Sequence, residues 1–166
     1  HHAGLMREIV AALGEAQGGF AAEAAEVKKV KDTASYDAVV LGSSVRAGKL
    51  KPEVLKFLDE NKADLSAKPF AAFVVCLAMK DSDEKGRTTA GTYLEPVRER
   101  IKPLSEGLFA GAYDPSKWGF VERRIMKMIK APPGDFRKWD DIEAWAASLV
   151  PLLGARWGDP ALMNVA

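Results

Sequence analysis

The stretch from Tyr36 to Lys49 limits the fold more than any other. A polar turn leads into Ala38-Val39-Val40-Leu41, an aliphatic run without polar alternation, and Gly42-Ser43-Ser44 follows. A strand with one solvated face alternates, so an unbroken apolar run reads as a strand covered on both faces, the pattern of parallel sheets. Phe70 to Leu77 repeats that pattern directly after Pro69. The first run is expected to stop at Gly42, with a basic, glycine-containing loop leading to a helix opened by Pro52. Ligands of open parallel sheets bind beyond the carboxyl ends of the strands. Two hydroxyls, several backbone N–H groups, Arg46 and Lys49 at such an end suit a flat, polar-edged ligand carrying negative charge. A plain strand-to-helix connector is the alternative reading.

The remaining chain alternates between the two periodicities. Leu5, Met6, Ile9, Val10 and Leu13 fall at helical spacing, closed by Gly14 and Gly18-Gly19. Phe20 to Val30 reads as a strand at a sheet edge. A helix is expected from Pro52 to about Asn61, with Val54, Leu55 and Leu58 inward, and another from about Thr88 to Ile101. Glu106 to Ala112 reads as a strand ending at Gly111-Ala112-Tyr113-Asp114. Lys117 to Lys130 reads as a helix, and so does Asp140, as N-cap, to about Leu153. This alternation predicts an α/β fold, a doubly wound parallel sheet with helices on both faces. One domain is expected over residues 1–154, with 155–166 as a tail.

Composition closes off several classes of function. The 24 basic and 23 acidic residues leave a formal charge of +1, so no global field favours nucleic acid. A single cysteine, Cys76, rules out an intramolecular disulfide and a cysteine-based zinc cluster. Set inside an apolar strand, it reads as a small hydrophobe rather than a redox thiol. His1 and His2 are the only histidines, which leaves Ser–His and metal–His mechanisms almost nothing to use, and no metal site is expected. No apolar run approaches the roughly 20 residues that span a bilayer.

Four stretches carry a resemblance. Tyr36-Asp-Ala-Val-Val-Leu-Gly-Ser-Ser-Val-Arg-Ala-Gly-Lys49 resembles the third strand and following loop of the flavodoxin-like superfamily. Phe73-Val-Val-Cys-Leu-Ala-Met-Lys80 and Phe109-Ala-Gly-Ala-Tyr-Asp114 are similar to its fourth and fifth strands and their exits. Trp118-Gly-Phe-Val-Glu-Arg-Arg-Ile-Met-Lys-Met-Ile-Lys130 with Gly134-Asp-Phe-Arg-Lys-Trp-Asp140 resembles the extra segment of the quinone-dependent protoporphyrinogen oxidase branch. The resemblance implies a flavodoxin-like sheet, FMN as cofactor, a porphyrinogen donor and a quinone acceptor. The chemistry would be the flavin's, oriented and tuned by the protein.

It also implies site residues. Ser43, Ser44, Val45, Arg46, Ala47 and Gly48 match the loop that lies against the flavin ring, and Leu77, Ala78, Met79 and Lys80 match a second ring-side loop. Tyr113 and Asp114 line the mouth of that crevice or form a surface turn. Trp118, Arg123, Arg124 and Lys127 belong to a basic amphipathic helix that covers a substrate, lies on a membrane, or simply packs on the domain. Family members open with a strand and a Ser/Thr-rich phosphate loop. Only His1-His2-Ala3-Gly4 stands before the first helix here, so the expectation is a phosphate site absent or reduced to its last residues. Met163-Asn-Val-Ala166 looks like the start of such a strand, so a relocated first strand is weighed against a frayed tail.

The chain is expected in the cytoplasm or at the inner face of a membrane, with self-association left open. Two further functions stay beside the enzyme: an electron-transfer module serving a protein partner, and a flavin-free partner-binding domain.

Overall fold

The computed structural model describes residues 22–114, 116, 119–128, 133–153 and 161–165. Five strands run parallel: β1 (Ala22–Glu26), β2 (Val39–Arg46), β4 (Phe70–Cys76), β5 (Ser105–Ala110) and β8 (Ala161–Val165). They lie in the order β1-β8-β2-β4-β5, and a two-residue strand, β3 (Lys49–Leu50), folds back on β2. Beyond β5, the chain makes a separate two-stranded ribbon from β6 (Ala112–Tyr113) and β7 (Gly134–Asp135). The helices are α1 (Pro52–Glu60), α2 (Lys62–Ser66), α3 (Glu84–Thr92), α4 (Glu95–Arg98), α5 (Phe120–Met128) and α6 (Trp139–Leu153). This is the doubly wound α/β arrangement the apolar runs imply. The helix expected at residues 5–13 lies outside the described residues.

Ala38 just before β2, Val40 within it, and Ala71, Phe73 and Val75 of β4 share a core with α6, where Ile142, Ala146, Leu149 and Leu153 form a helical stripe. The opposite face packs Val39, Leu41, Phe70, Ala72 and Val74 against Val54, Phe57 and Leu58 of α1 and Val97 of α4. Both faces of β2 and β4 are thus dry through Ser44 and Cys76, which is why their apolar runs show no polar alternation.

Glycines shape the α6 side. Gly42, Phe73 and Gly107 stand opposite one another in register across β2, β4 and β5. The Phe73 ring lies over Gly42, where a Cβ would come within 2.1 Å of its Cζ. It also meets Phe109 and Trp145, with ring centroids at 5.8 and 5.7 Å. Trp145 satisfies its indole N–H by donating to Ser105 Oγ at 3.0 Å.

Several boundaries differ from the sequence expectation. β2 does not end at Gly42 but runs to Arg46, because Ser43 and Ser44 continue the ladder opposite Val74 and Val75. The expected basic loop is therefore a strand end plus a tight hairpin. Its Ala47 and Gly48 both have positive φ, 48° and 74°, as a two-residue hairpin turn demands. The helix expected from Thr88 starts earlier, since Asp83 caps it by accepting from Gly86 N–H at 2.7 Å. It breaks at Tyr93 and Leu94, because Pro96 has no N–H to continue the ladder. The strand expected to Ala112 divides at Gly111, and the helix expected over 117–130 is described as Phe120–Met128. Asp140 is not the N-cap of the last helix; it lies in the first turn, after Trp139. Leu55 is only half-buried, and Phe57 takes the inward place instead.

A polar clamp sets the entry to β2. Lys68 donates to the carbonyls of Thr33 and Tyr36, both at 2.7 Å, and pairs with Asp64 at 2.7 Å. Thr33 Oγ1 also donates to Asp64. Burial pushes the Asp64 carboxyl up, but the Lys68 and Thr33 hydrogen bonds and the Lys68 charge outweigh it and hold the pKa below the usual carboxylate range. Its side chain is 37% exposed, so the ion pair is screened. The loss from Lys68→Met comes mainly from two stranded carbonyls, about 2 kcal/mol by urea unfolding at neutral pH. A depressed carboxylate adds stability above its unfolded pKa and loses it as pH falls through the folded one. Asp64→Asn should therefore flatten the acid side of the stability–pH curve, and an unchanged acid limb would count against the clamp.

Candidate functional site

β8 ends opposite Gly42, its last pair being Gly42↔Val165. β2 continues four residues further, so Ser43, Ser44, Val45 and Arg46 overhang β8 at the carboxyl end of the sheet. β8, the last strand described, lies between β1 and β2, which succeed one another in sequence. The carboxyl ends of parallel strands are where ligands of such sheets bind. On the β8 side, the overhang has no strand neighbour among the described residues.

The two serines of the overhang differ. Ser43 faces the α1 side and donates its hydroxyl to Ser44 O at 3.1 Å. Ser44 faces the α6 side, next to Val75, and is 6% exposed. Its Oγ has no hydrogen-bond partner. A buried hydroxyl left unsatisfied costs about 1–3 kcal/mol. Val45 is half-buried, while Arg46, Ala47, Gly48 and Lys49 are exposed on the hairpin.

The second expected segment follows β4. Leu77–Met79 forms a single 3-10 turn at the same end of the sheet. Met79 is buried with Cys76, Ala90 and Ala110, so its side chain anchors the turn and Leu77 and Ala78 form its half-buried outer surface. Lys80 is exposed and pairs with Asp81 at 2.7 Å. Sequence reading missed what fixes this turn. A Cβ on Gly86 would come within 2.3 Å of Ala78 O, so the start of α3 presses directly on the turn. The signal was Asp83-x-x-Gly86, a cap followed by a residue without a side chain. Burial pushes the Cys76 thiol up, although the backbone N–H groups of Met79 and Ala78 reach its sulfur. The thiol stays protonated, as a small hydrophobe.

Tyr113 is buried and pairs with Gly134, while Asp114 accepts from Ser116 N–H at 3.0 Å and Ser116 Oγ at 2.6 Å. These two residues thus build the root of the segment carrying α5. Arg123, Arg124 and Lys127 are exposed on that helix; Trp118 lies outside the described residues. The structure therefore brings 43–48 and 77–80 together on neighbouring strand ends. Among the described residues, no cluster of acidic, histidine and cysteine side chains suits a metal ion.

A profile of the flavodoxin domain matches residues 3–139. The chain is also similar to the protoporphyrinogen IX dehydrogenase [quinone] of Leishmania major, 29% identical over 103 residues. That similarity covers 61% of this chain but 44% of the relative, so the chain spans under half of the relative's length. With the profile covering most of its residues and the parallel sheet open at the matching end, the chain belongs to the flavodoxin domain family.

Proposed function

We propose that the chain is a flavin-type oxidoreductase that binds the ring of FMN at the β2 overhang. The reading is carried by Ser44, a buried hydroxyl without a partner among the described residues at the carboxyl end of the sheet. A flavin ring is flat with a polar edge, which fits the overhanging backbone and hydroxyl of Ser43–Arg46 and the firm turn at Leu77–Met79. Whatever the resemblance leaves of the phosphate site falls at residues 1–4, outside the described residues.

When bound, FMN supplies two-electron redox chemistry. The chain's own residues do the rest. The Ser44 hydroxyl donates to the ring edge, Arg46 places a cation on the rim, and the turn fixed by Met79 and Gly86 orients the ring from the β4 side. As donor and acceptor we propose a porphyrinogen and a quinone, from the likeness to the Leishmania major relative. A carrier that passes electrons to a protein partner is the second reading. The near-neutral charge speaks against it, because such carriers gain from strong charge complementarity with their partners.

The test is an FMN titration of the full chain followed by flavin absorbance and fluorescence. Ser44→Ala should weaken FMN binding about tenfold while stabilising the flavin-free protein by about 1 kcal/mol. The two effects have opposite signs because the same orphaned hydroxyl causes both. A protein that takes up no FMN defeats the proposal. If FMN binds, quinone-linked porphyrinogen oxidation separates the enzyme from the carrier.

A further inference from the structure

The helix α5 is a feature of the described surface that the proposed flavin site does not use. It rises from the ribbon whose pairs are Ala112↔Asp135 and Tyr113↔Gly134, fastened by Phe136 N–H to Gly111 O at 3.2 Å. The helix is thus rooted just past β5, at the end of the sheet that holds the crevice. Phe120, Val121 and Met128 are 69, 66 and 79% exposed, the largest exposures of any big apolar residues described. Arg123, Arg124 and Lys127 are exposed beside them.

At 100° per residue, these six side chains occupy an arc of about 160°. Arg123 and Lys127 hold one side of it, Val121 and Met128 the other. Phe120 and Arg124 lie between, with the Arg124 guanidinium 5.9 Å from the centre of the Phe120 ring. Glu122, the one acidic residue in the sequence of this helix, takes a position outside that arc at 100° per residue. The carboxylates at its root are engaged locally, Asp114 with Ser116 and Asp135 with Arg137.

We infer that this face docks on an anionic lipid surface. Its convex, mixed character decides the occupant. Large apolar groups flanked by cations match the boundary where headgroup phosphates meet acyl chains, and basic residues beside such a surface each strengthen binding severalfold. A rigid protein partner would need a pocket for each of three separated apolar groups and a carboxylate for each cation, whereas a fluid bilayer supplies both without fixed geometry. Docking here would turn the carboxyl end of the sheet toward the membrane.

The experiment is sedimentation of the full chain with vesicles of phosphatidylcholine, with and without phosphatidylserine. Binding is expected only to the serine-containing vesicles, and to fall as salt rises. The charge variant R123Q/R124Q/K127Q should bind on the order of a hundredfold more weakly. The apolar variant F120S/V121S/M128S should also lose binding, although its cations remain. Because all six positions are exposed, both variants should keep the parent's circular dichroism and melting temperature, and FMN uptake is measured alongside so that flavin and lipid readings fail separately. Absence of binding to serine-containing vesicles overturns the inference. So does binding that survives either variant, or equal binding to neutral vesicles.

Discussion

Replacing Gly42 by alanine is expected to destabilise the protein by about 3 kcal/mol, near the upper end for forcing atoms into a filled core. The added Cβ would stand 2.1, 2.5 and 2.7 Å from three atoms of the Phe73 ring. A ring at a surface would swing aside, but this one is held by Phe109 and Trp145 and is 2% exposed. Thermal unfolding should shift down by roughly 10 °C for a chain of this size. Shortening the obstacle should help, so Gly42→Ala with Phe73→Leu is expected to lose at least about 1 kcal/mol less than the sum of the single changes. Simple additivity would mean that the ring does not lie over Gly42.

Introducing proline at Met163 is expected to cost about 3 kcal/mol or more. β8 pairs with β1 through Ala24↔Met163 and with β2 through Val40↔Met163, so residue 163 has strands on both sides. Proline lacks the N–H that a ladder needs and is tolerated only at sheet edges. The consequence should be local in a telling way. Among the described residues, β8 is the only strand that joins β1 to the rest of the sheet. Hydrogen exchange should therefore speed up in Ala22–Glu26 together with Ala161–Val165, while Phe70–Cys76 stays protected. Unchanged exchange in β1 would show that β8 does not hold that place in solution.

Both predictions concern features that were only partly visible in the chain. Gly42 and Gly107 are plain in the sequence, and glycine within a strand signals a close approach. Which ring approaches was decided by the register of β4 between β2 and β5. Ser43 and Ser44 were legible as candidate ligand-facing hydroxyls, but not as strand residues. Polar residues after an apolar run look like a loop until a neighbouring strand supplies the hydrogen bonds that keep them extended. Met79 shows the opposite case: the family resemblance placed it with the ring-side loop, and its side chain is buried with Ala90 of α3.

The sequence by itself determined the class of the fold. Unbroken apolar runs at 38–41 and 70–77, separated by helical spacing, require a sheet covered on both faces, because burial is recorded residue by residue in the pattern. It also marked the carboxyl end of β2 as the candidate site, through Gly42-Ser43-Ser44 and the basic residues after them. Tertiary structure alone decided that Ala161–Val165 lies between β1 and β2, that Ser44 keeps an unpaired hydroxyl while Ser43 does not, and that Phe120, Val121 and Met128 stay uncovered. Each of these depends on what lies across a strand or beside a helix. Such neighbours are far apart along the chain, and local periodicity does not encode them.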